Sequence, residues 1–298
     1  MSRDRVFSAI RKSITIHGVA RSEIGADRSA VITSVGTGRI TEQAERRFLE
    51  WRRDNGLPLD GPFLKVEAEE FLFEYAETSR QSAVDATRLG LSRVLGIRLA
   101  HVLSLIETIE QGRAVTWEEV RLIIEHQRDW NGLSTLACLD GGLRACELDT
   151  LRREDELGPS SHRTWPETMF LGRQDYVRMV VTGKGGLRRP VALASPLAEA
   201  IETRRLSRAR EKTDRGVHRE SLYDIGGGQR LSQSFSYASQ TALGYSLGLH
   251  GLRHGFAQRR VRKLMALGCD FMTAVHMVSI ELGHFRPVLA YYQPRKHD

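Results

Sequence analysis

Residues suited to handling an anionic oxygen and a proton recur through the C-terminal part of this sequence. Arg144 and Glu147 stand three apart in Gly142-Leu143-Arg144-Ala145-Cys146-Glu147-Leu148, on one face of a helix start. Lys184 sits in the Gly-rich turn Thr182–Leu187, followed by Arg188 and Arg189. His250 and Arg253 are again three apart and can face one target. His284 closes Glu281-Leu282-Gly283-His284, with Tyr291 and Tyr292 seven and eight residues further on. Each segment alone has a plainer reading: a surface ion pair, a solvated turn, a satisfied histidine, two packing tyrosines. The types together have a chemistry. Arginine holds anionic oxygens in a planar fork, lysine and histidine carry protons, and a phenol becomes a nucleophile once its target is polarised.

The order of the segments gives them further meaning. Arg, Lys, His-x-x-Arg, Gly-His and Tyr, spread over the basic part of the chain, resemble the tyrosine recombinases, the phage-type integrases. GLRACEL is similar to that family's first arginine box, TGKGGLRRPV to its hairpin lysine, HGLRHGFAQR to its His-x-x-Arg box and ELGHFRP to its last histidine box. Residues 43–112 resemble, more weakly, its helical core-binding domain. The resemblance implies cleavage of a DNA phosphodiester without metal or ATP, through a covalent 3′-phosphotyrosyl link. Arg144 and Arg253 would clamp the non-bridging oxygens, with Glu147 holding Arg144. His250 and His284 would add hydrogen bonds or base assistance, and Lys184 would protonate the leaving 5′-oxygen. The chain departs from the family in register. The family's nucleophile follows the last histidine by nine residues, but position 293 here is Gln. Tyr292 is preferred over Tyr291 because it needs only a single-residue shortening after the helix.

The elements that must carry these residues are mainly helices. The first ~40 residues, with a Ser/Thr/Gly-rich stretch at 33–38, read as an arm or extension. Helical periodicity then predicts segments from Thr41 to Arg53, Phe63–Thr78, Ser82–Leu95 and Leu99–Ile109. Thr116-Trp117-Glu118-Glu119 is an N-cap with acids in the first turn, opening a helix to Gln127, with another over Leu133–Cys138. Tyr176–Val181 and Arg188–Leu193 flank the turn at 182–187 as a hairpin. Helices return over Pro196–Arg210, Ser232–Gly244, Leu252–Leu267 and Met272–Leu282, and Ile225–Gly228 is a loop without the context of a phosphate cradle. The expected fold class is mainly α with a small β-sheet: an arm at 1–42, a helical core-binding domain at 43–112, and a mixed α/β catalytic domain of recombinase type at 113–298.

Composition narrows the partners. Residues 1–112 carry 16 basic and 16 acidic side chains, so the whole net charge of +7 lies in 113–298. That asymmetry suits a polyanion held by the C-terminal part. No apolar run approaches the ~18–20 residues of a membrane helix, and Arg11 and Lys12 interrupt any secretory signal. The three cysteines, Cys138, Cys146 and Cys269, lack C-x-x-C spacing, fit buried apolar roles and imply a reducing, cytoplasmic setting. The expectation is a site-specific recombinase or integrase of a mobile element, acting on double-stranded DNA with no cofactor and self-associating as dimer to tetramer on its substrate. Its rivals are a catalytically impaired DNA-binding relative, a metal-dependent hydrolase built on His250, His254 and His284, and a DNA-relaxing topoisomerase with the same chemistry.

Overall fold

A computed structural model describes residues 5–16, 30–107, 112–293 and 295. The chain divides into two compact units, Met1–Ile109 and Glu110–Asp298. Among the described residues no helix is long and apolar enough to cross a membrane.

The first unit is helical: α1 (Arg5–Ile14), α2 (Val35–Asp54), α3 (Lys65–Thr78) and α4 (Gln81–Leu95). Its core gathers Ala44 and Phe48 from α2, Phe71 and Leu72 from α3, and Val84 and Leu91 from α4. Two departures from the sequence reading have clear causes. Helix α2 starts at Val35 rather than Thr41, because the Ser34 side chain caps it by accepting from the Thr37 amide. The segment expected as a helix over Leu99–Ile109 is instead irregular through its described residues, 99–107. Its amides bond outward, Ala100 to the Glu69 carboxylate, Ser104 to the Gln81 side chain and Leu105 to the Ala76 carbonyl, while Leu99 and Val102 plug the core. Apolar spacing of three fits that arrangement as well as a helix. Within the expected arm, Phe7 stacks on Phe63 at 4.6 Å and Arg11 pairs with Glu45 at 2.7 Å, so α1 packs on this unit. Residues 17–29 lie outside the described residues.

The second unit begins with α5 (Trp117–Glu125) and α6 (Asp129–Gly141), followed by a 3-10 turn at Ala145–Thr150. The Thr116–Glu119 capping box opens α5 as the sequence signals. A three-stranded antiparallel sheet follows, ordered β1 (Arg152–Arg153), β2 (Tyr176–Thr182), β3 (Arg188–Ala194), with Thr182 opposite Arg188 across the hairpin. Then come α7 (Ser195–Glu202), a second hairpin of β4 (Arg205–Asp214) and β5 (Val217–Tyr223), and helices α8 (Gly228–Leu243), α9 (His250–Ala266) and α10 (Phe271–Glu281). A 3-10 turn, Leu289–Tyr292, ends the described elements. The β4–β5 hairpin replaces the C-terminal part of the helix expected over Pro196–Arg210. Its turn is Arg215-Gly216, both at positive φ (51° and 76°), the two-residue geometry that matches strand twist. Dense charge on both strands hid the alternation that marks a strand.

Two apolar clusters support this unit. One joins α5, α6, α8 and the sheet through residues such as Ile123, Leu139, Val181, Leu193 and Phe235, and the other joins α9, α10 and the final turn through Phe256, Val275, Leu282 and Tyr291. Gly142, which ends α6 in a left-handed conformation (φ 60°), lies against the second cluster. A Cβ there would stand 2.6 Å from Phe256 Cδ1 and 2.8 Å from Leu282 Cδ2. Gly142→Ala therefore adds overpacking to a conformational penalty and should cost about 2–4 kcal/mol of stability. Gly244→Ala, at φ 77° with nothing within 4 Å, should cost about 1 kcal/mol. Urea unfolding of both variants measures the difference; equal costs would remove the packing role of Gly142.

Candidate active site

The site is built round one carboxylate. Glu147 lies in the 3-10 turn after α6 with its side chain fully buried. Its Oε1 accepts from Arg144 Nη1 at 2.6 Å, and its Oε2 accepts from the Arg144 amide at 2.9 Å and from Arg189 Nη2 at 2.7 Å. Arg253 Nη1 stands 4.0 Å from Oε2. Burial alone would raise the Glu147 pKa. The guanidiniums of Arg189, Arg253 and Arg144 overcome that and hold the carboxyl well below the usual carboxylate range.

Each arginine is then fixed by different chain ends. Arg253, on the first turn of α9, is fully buried. Its Nη1 donates to the Gly142 carbonyl at 2.5 Å and its Nη2 to the Leu282 carbonyl, so the ends of α6 and α10 meet on one guanidinium. Burial, together with Arg189, lowers its pKa to about 10, which leaves it charged at neutral pH. Arg189, on β3, donates to the Glu281 carbonyl at 2.7 Å and to the Gly142 carbonyl at 3.1 Å. Arg144 is the accessible member, with 29% of its side chain exposed.

The phenol that joins this cluster is Tyr291. Its Oη accepts from Arg253 Nε at 3.1 Å and lies 3.4 Å from His284 Nε2, which is itself 3.3 Å from Arg144 Nη2. The His254 ring meets the Tyr291 ring edge-to-face at 4.6 Å, and the His250 ring centroid is 6.0 Å away. Tyr292, the tyrosine preferred on spacing, points elsewhere. Its Oη is buried without a hydrogen-bond partner, its ring packs edge-on against Phe271 at 6.0 Å, and burial pushes its pKa up. The spacing preference falls on Tyr292, whereas the hydroxyl that meets Arg253 and His284 is that of Tyr291. The 3-10 turn sends adjacent side chains in different directions, and counting residues from His284 cannot say which one turns inward.

The structure brings together Arg144, His250, Arg253 and His284 of the expected site residues, and adds Tyr291. For Lys184 only the backbone counts: it starts the 3-10 turn Lys184–Gly186 at the tip of the β2–β3 hairpin, and its side chain lies outside the described residues. The preceding Gly183 abuts the cluster closely, since a Cβ there would sit 3.1 Å from Glu147 Oε1. Sequence reasoning missed Arg189. Its signal was an arginine heading the apolar run Pro190-Val191-Ala192-Leu193, where only a buried partner could satisfy it. Among the described residues no three His, Cys, Asp or Glu side chains are grouped to hold a metal ion.

Burial, followed by neighbouring positive charge, lowers the pKa of the site histidines, to about 4 for His254 and His284 against an ordinary 6.5. For His250, which is exposed, the direction is the same, from desolvation and then Arg253 and Arg144. These rings are neutral at pH 7, so His284 Nε2 can accept a proton. The linkage has a definite sign. Between about pH 6.5 and 4 the unfolded chain binds protons that the folded site refuses, so stability falls as pH falls through that window and is level above it. Thermal unfolding from pH 8 to 4.5 should show this, and His254→Gln should flatten the slope. An unchanged slope in that variant would remove His254 as a cause.

No family model matches the chain, and no curated protein matches it by sequence. Solved structures match its fold. The 75–356 fragment of lambda integrase, as a dimer bound to a COC′ core site, superposes with TM-score 0.56 at 15% identity, covering 97% of each chain. XerH site-specific recombinase bound to difH substrate, in a pre-cleavage complex, gives TM-score 0.55 at 15% identity, covering 100% of this chain and 82% of that one. The post-cleavage XerH complex gives 0.53 at 16%, covering 95% and 78%. At such identities the likeness is one of fold, and it runs through both units. The family whose motifs the sequence resembles is therefore also the family whose architecture it adopts: this chain has the tyrosine recombinase fold.

Proposed function

We propose that this protein is a site-specific DNA recombinase or integrase that cleaves and rejoins strands through a 3′-phosphotyrosyl intermediate, with Tyr291 as nucleophile. One observation carries the reading: the Tyr291 hydroxyl lies between Arg253 Nε and His284 Nε2, beside guanidiniums organised by Glu147. A phenol pKa is ordinarily near 10. Here an N–H aimed at the oxygen stabilises developing phenolate, and a neutral imidazole stands ready for the proton. The same phenol set against Phe271, as in Tyr292, has neither.

In this mechanism Arg144, the exposed guanidinium, receives a non-bridging oxygen of the scissile phosphate. Tyr291 Oη attacks phosphorus and its proton passes to His284 Nε2. The bond from phosphorus to the 5′-oxygen breaks, and Lys184 gives that oxygen a proton. As Tyr291 leaves Arg253 Nε for phosphorus, the freed N–H turns to the phosphoryl oxygens, where charge accumulates. Religation is the reverse, with a 5′-hydroxyl attacking the phosphotyrosyl ester. The ester conserves the bond, so neither ATP nor metal is required. The partner is double-stranded DNA. The superposed structures are of recombinases on DNA, including a lambda integrase tetramer on a Holliday junction, which supports assembly of two to four copies on the substrate. The net charge of +7 in 113–298 supports the second unit as the main phosphate-binding part.

Trapping on a nicked duplex tests the nucleophile. Tyr291→Phe should abolish covalent protein–DNA complex while leaving DNA affinity nearly intact, and Tyr292→Phe should retain it. The reverse pattern would move the nucleophile to Tyr292, and two fully active variants would end the phosphotyrosyl reading. Lys184 has a separate test. Lys184→Ala should be slow on an ordinary phosphodiester and recover on a 5′-bridging sulfur substrate, because a thiolate leaves without a proton. Arg144→Ala should not recover, and equal rescue of both would deprive Lys184 of the acid role.

A further inference from the structure

The chain beyond Tyr291 carries a device that the mechanism above does not use. Tyr291 belongs to a four-residue 3-10 turn, too short to hold its own orientation. Upstream, Pro287, Leu289 and Ala290 are exposed, and the Val288 amide donates to Ser279 Oγ at 3.2 Å. Gln258 Nε2 donates to the Tyr291 carbonyl at 3.1 Å. Downstream the anchor is stronger. Four residues after Tyr291, Arg295 Nη1 donates to Glu119 Oε1 at 2.7 Å and to the Ala114 carbonyl at 3.3 Å, and its Nη2 donates to Tyr245 Oη at 2.9 Å. Tyr245 Oη in turn donates to the same Glu119 oxygen at 2.5 Å. Glu119 is itself held, because its Oε2 accepts from the Thr116 amide in the capping box of α5. One guanidinium thus ties three points of the second unit, in a partly buried ion pair whose side chains are 20% and 14% exposed. Charge-assisted bonds of this kind are the strong ones.

We propose that Arg295 is a positioning residue for strand cleavage, latching the chain beyond Tyr291 onto Glu119 and Tyr245 of the same chain so that the phenol stays aimed at its own Arg253 and His284. The proposal rests on Tyr291 being the nucleophile. Four residues of extended chain span at most ~14 Å, so the latch confines the chain that follows Tyr291, while Ser279 holds the amide of Val288 before it and Gln258 the carbonyl of Tyr291 itself. Without Arg295 the chain that follows the turn loses its charged anchor, and the turn keeps only the packing of its two rings and single neutral bonds at Val288 and the Tyr291 carbonyl. Misplacement by about an ångström is enough to cost a reaction of this type ~10²-fold. Arg295 touches neither the phenol nor the arginine cluster, so its loss should leave the charge that meets the phosphate unaltered.

The experiment measures covalent complex formation by the full chain on saturating nicked duplex, together with DNA affinity and the thermal midpoint. Arg295→Ala should slow cleavage by ~10–100-fold with affinity changed less than about twofold, a loss in rate rather than in binding. Tyr245→Phe, which keeps the ring and loses both hydroxyl bonds, should slow cleavage in the same direction by less. The double variant should be no slower than Arg295→Ala alone, because both changes break one latch. An unchanged rate in Arg295→Ala, a matching fall in affinity or thermal midpoint, or full additivity in the double variant would each overturn the proposal. If the unaltered protein or Tyr292→Phe forms covalent complex and Tyr291→Phe does as well, the failure lies in the nucleophile assignment and not in the latch.

Discussion

The arrangement of the second unit depends on the buried carboxylate of Glu147. An ionised carboxylate taken from water costs several kcal/mol unless charge and hydrogen bonds replace the solvent. Here Arg144 and Arg189 bond it directly and Arg253 lies at 4.0 Å. The dependence is mutual. Three guanidiniums packed near one another would repel without the carboxylate between them. Because the cations outnumber it, the cluster keeps unspent positive charge for an anion to neutralise. A cluster of this kind is preorganised: the cost of gathering the charges is met in folding.

The same cluster connects elements far apart in sequence. The carbonyl of Gly142 accepts from both Arg189 and Arg253, while those of Glu281 and Leu282 accept from one each. Carbonyls at helix ends have no partner within their own helix. Guanidiniums fill that need at α6 and α10, so the charged cluster also closes the helix termini. A second buried pair, Arg260 with Glu281, lies next along α9 and ties it to α10, with Glu281 Oε1 also accepting from the Phe170 amide. Rigid placement of His284 follows from this framework, since its amide bonds the Ser279 carbonyl at 2.7 Å just past the end of α10.

Electrostatics also separates the two tyrosines. They are neighbours in one short turn, yet Tyr291 has its oxygen beside a guanidinium and an imidazole, and Tyr292 has its oxygen buried without a hydrogen-bond partner. An unpaired buried hydroxyl carries a desolvation cost of about 1–3 kcal/mol, which the apolar packing of the Tyr292 ring must offset. The neutral histidines fit the same logic. His254 and His284, withdrawn from water and beside permanent positive charge, resist protonation and remain acceptors.

The fold class was legible in the sequence, and so were most of the residues that the second unit gathers round Glu147. Residue types and their spacing are local facts, and it was their order along the chain, in its resemblance to the integrases, that singled out Arg144, Glu147, Lys184, His250, Arg253 and His284. The Thr116–Glu119 capping box and the hairpin flanking Lys184 were legible for the same reason, because caps and turns are written in a few adjacent residues. Tertiary structure decided what depends on distant partners. Leu99–Ile109 had the apolar spacing of a helix, but the Glu69 and Gln81 side chains and the Ala76 carbonyl took its amides. The charged β4–β5 hairpin has no apolar alternation to betray it. Arg189 gains its role only when β3 lies beside Glu147 and the ends of α6 and α10. The two adjacent tyrosines are the clearest case: one position along the chain is a small difference in sequence, but in a tight turn it reverses which side chain meets Arg253 and which meets Phe271.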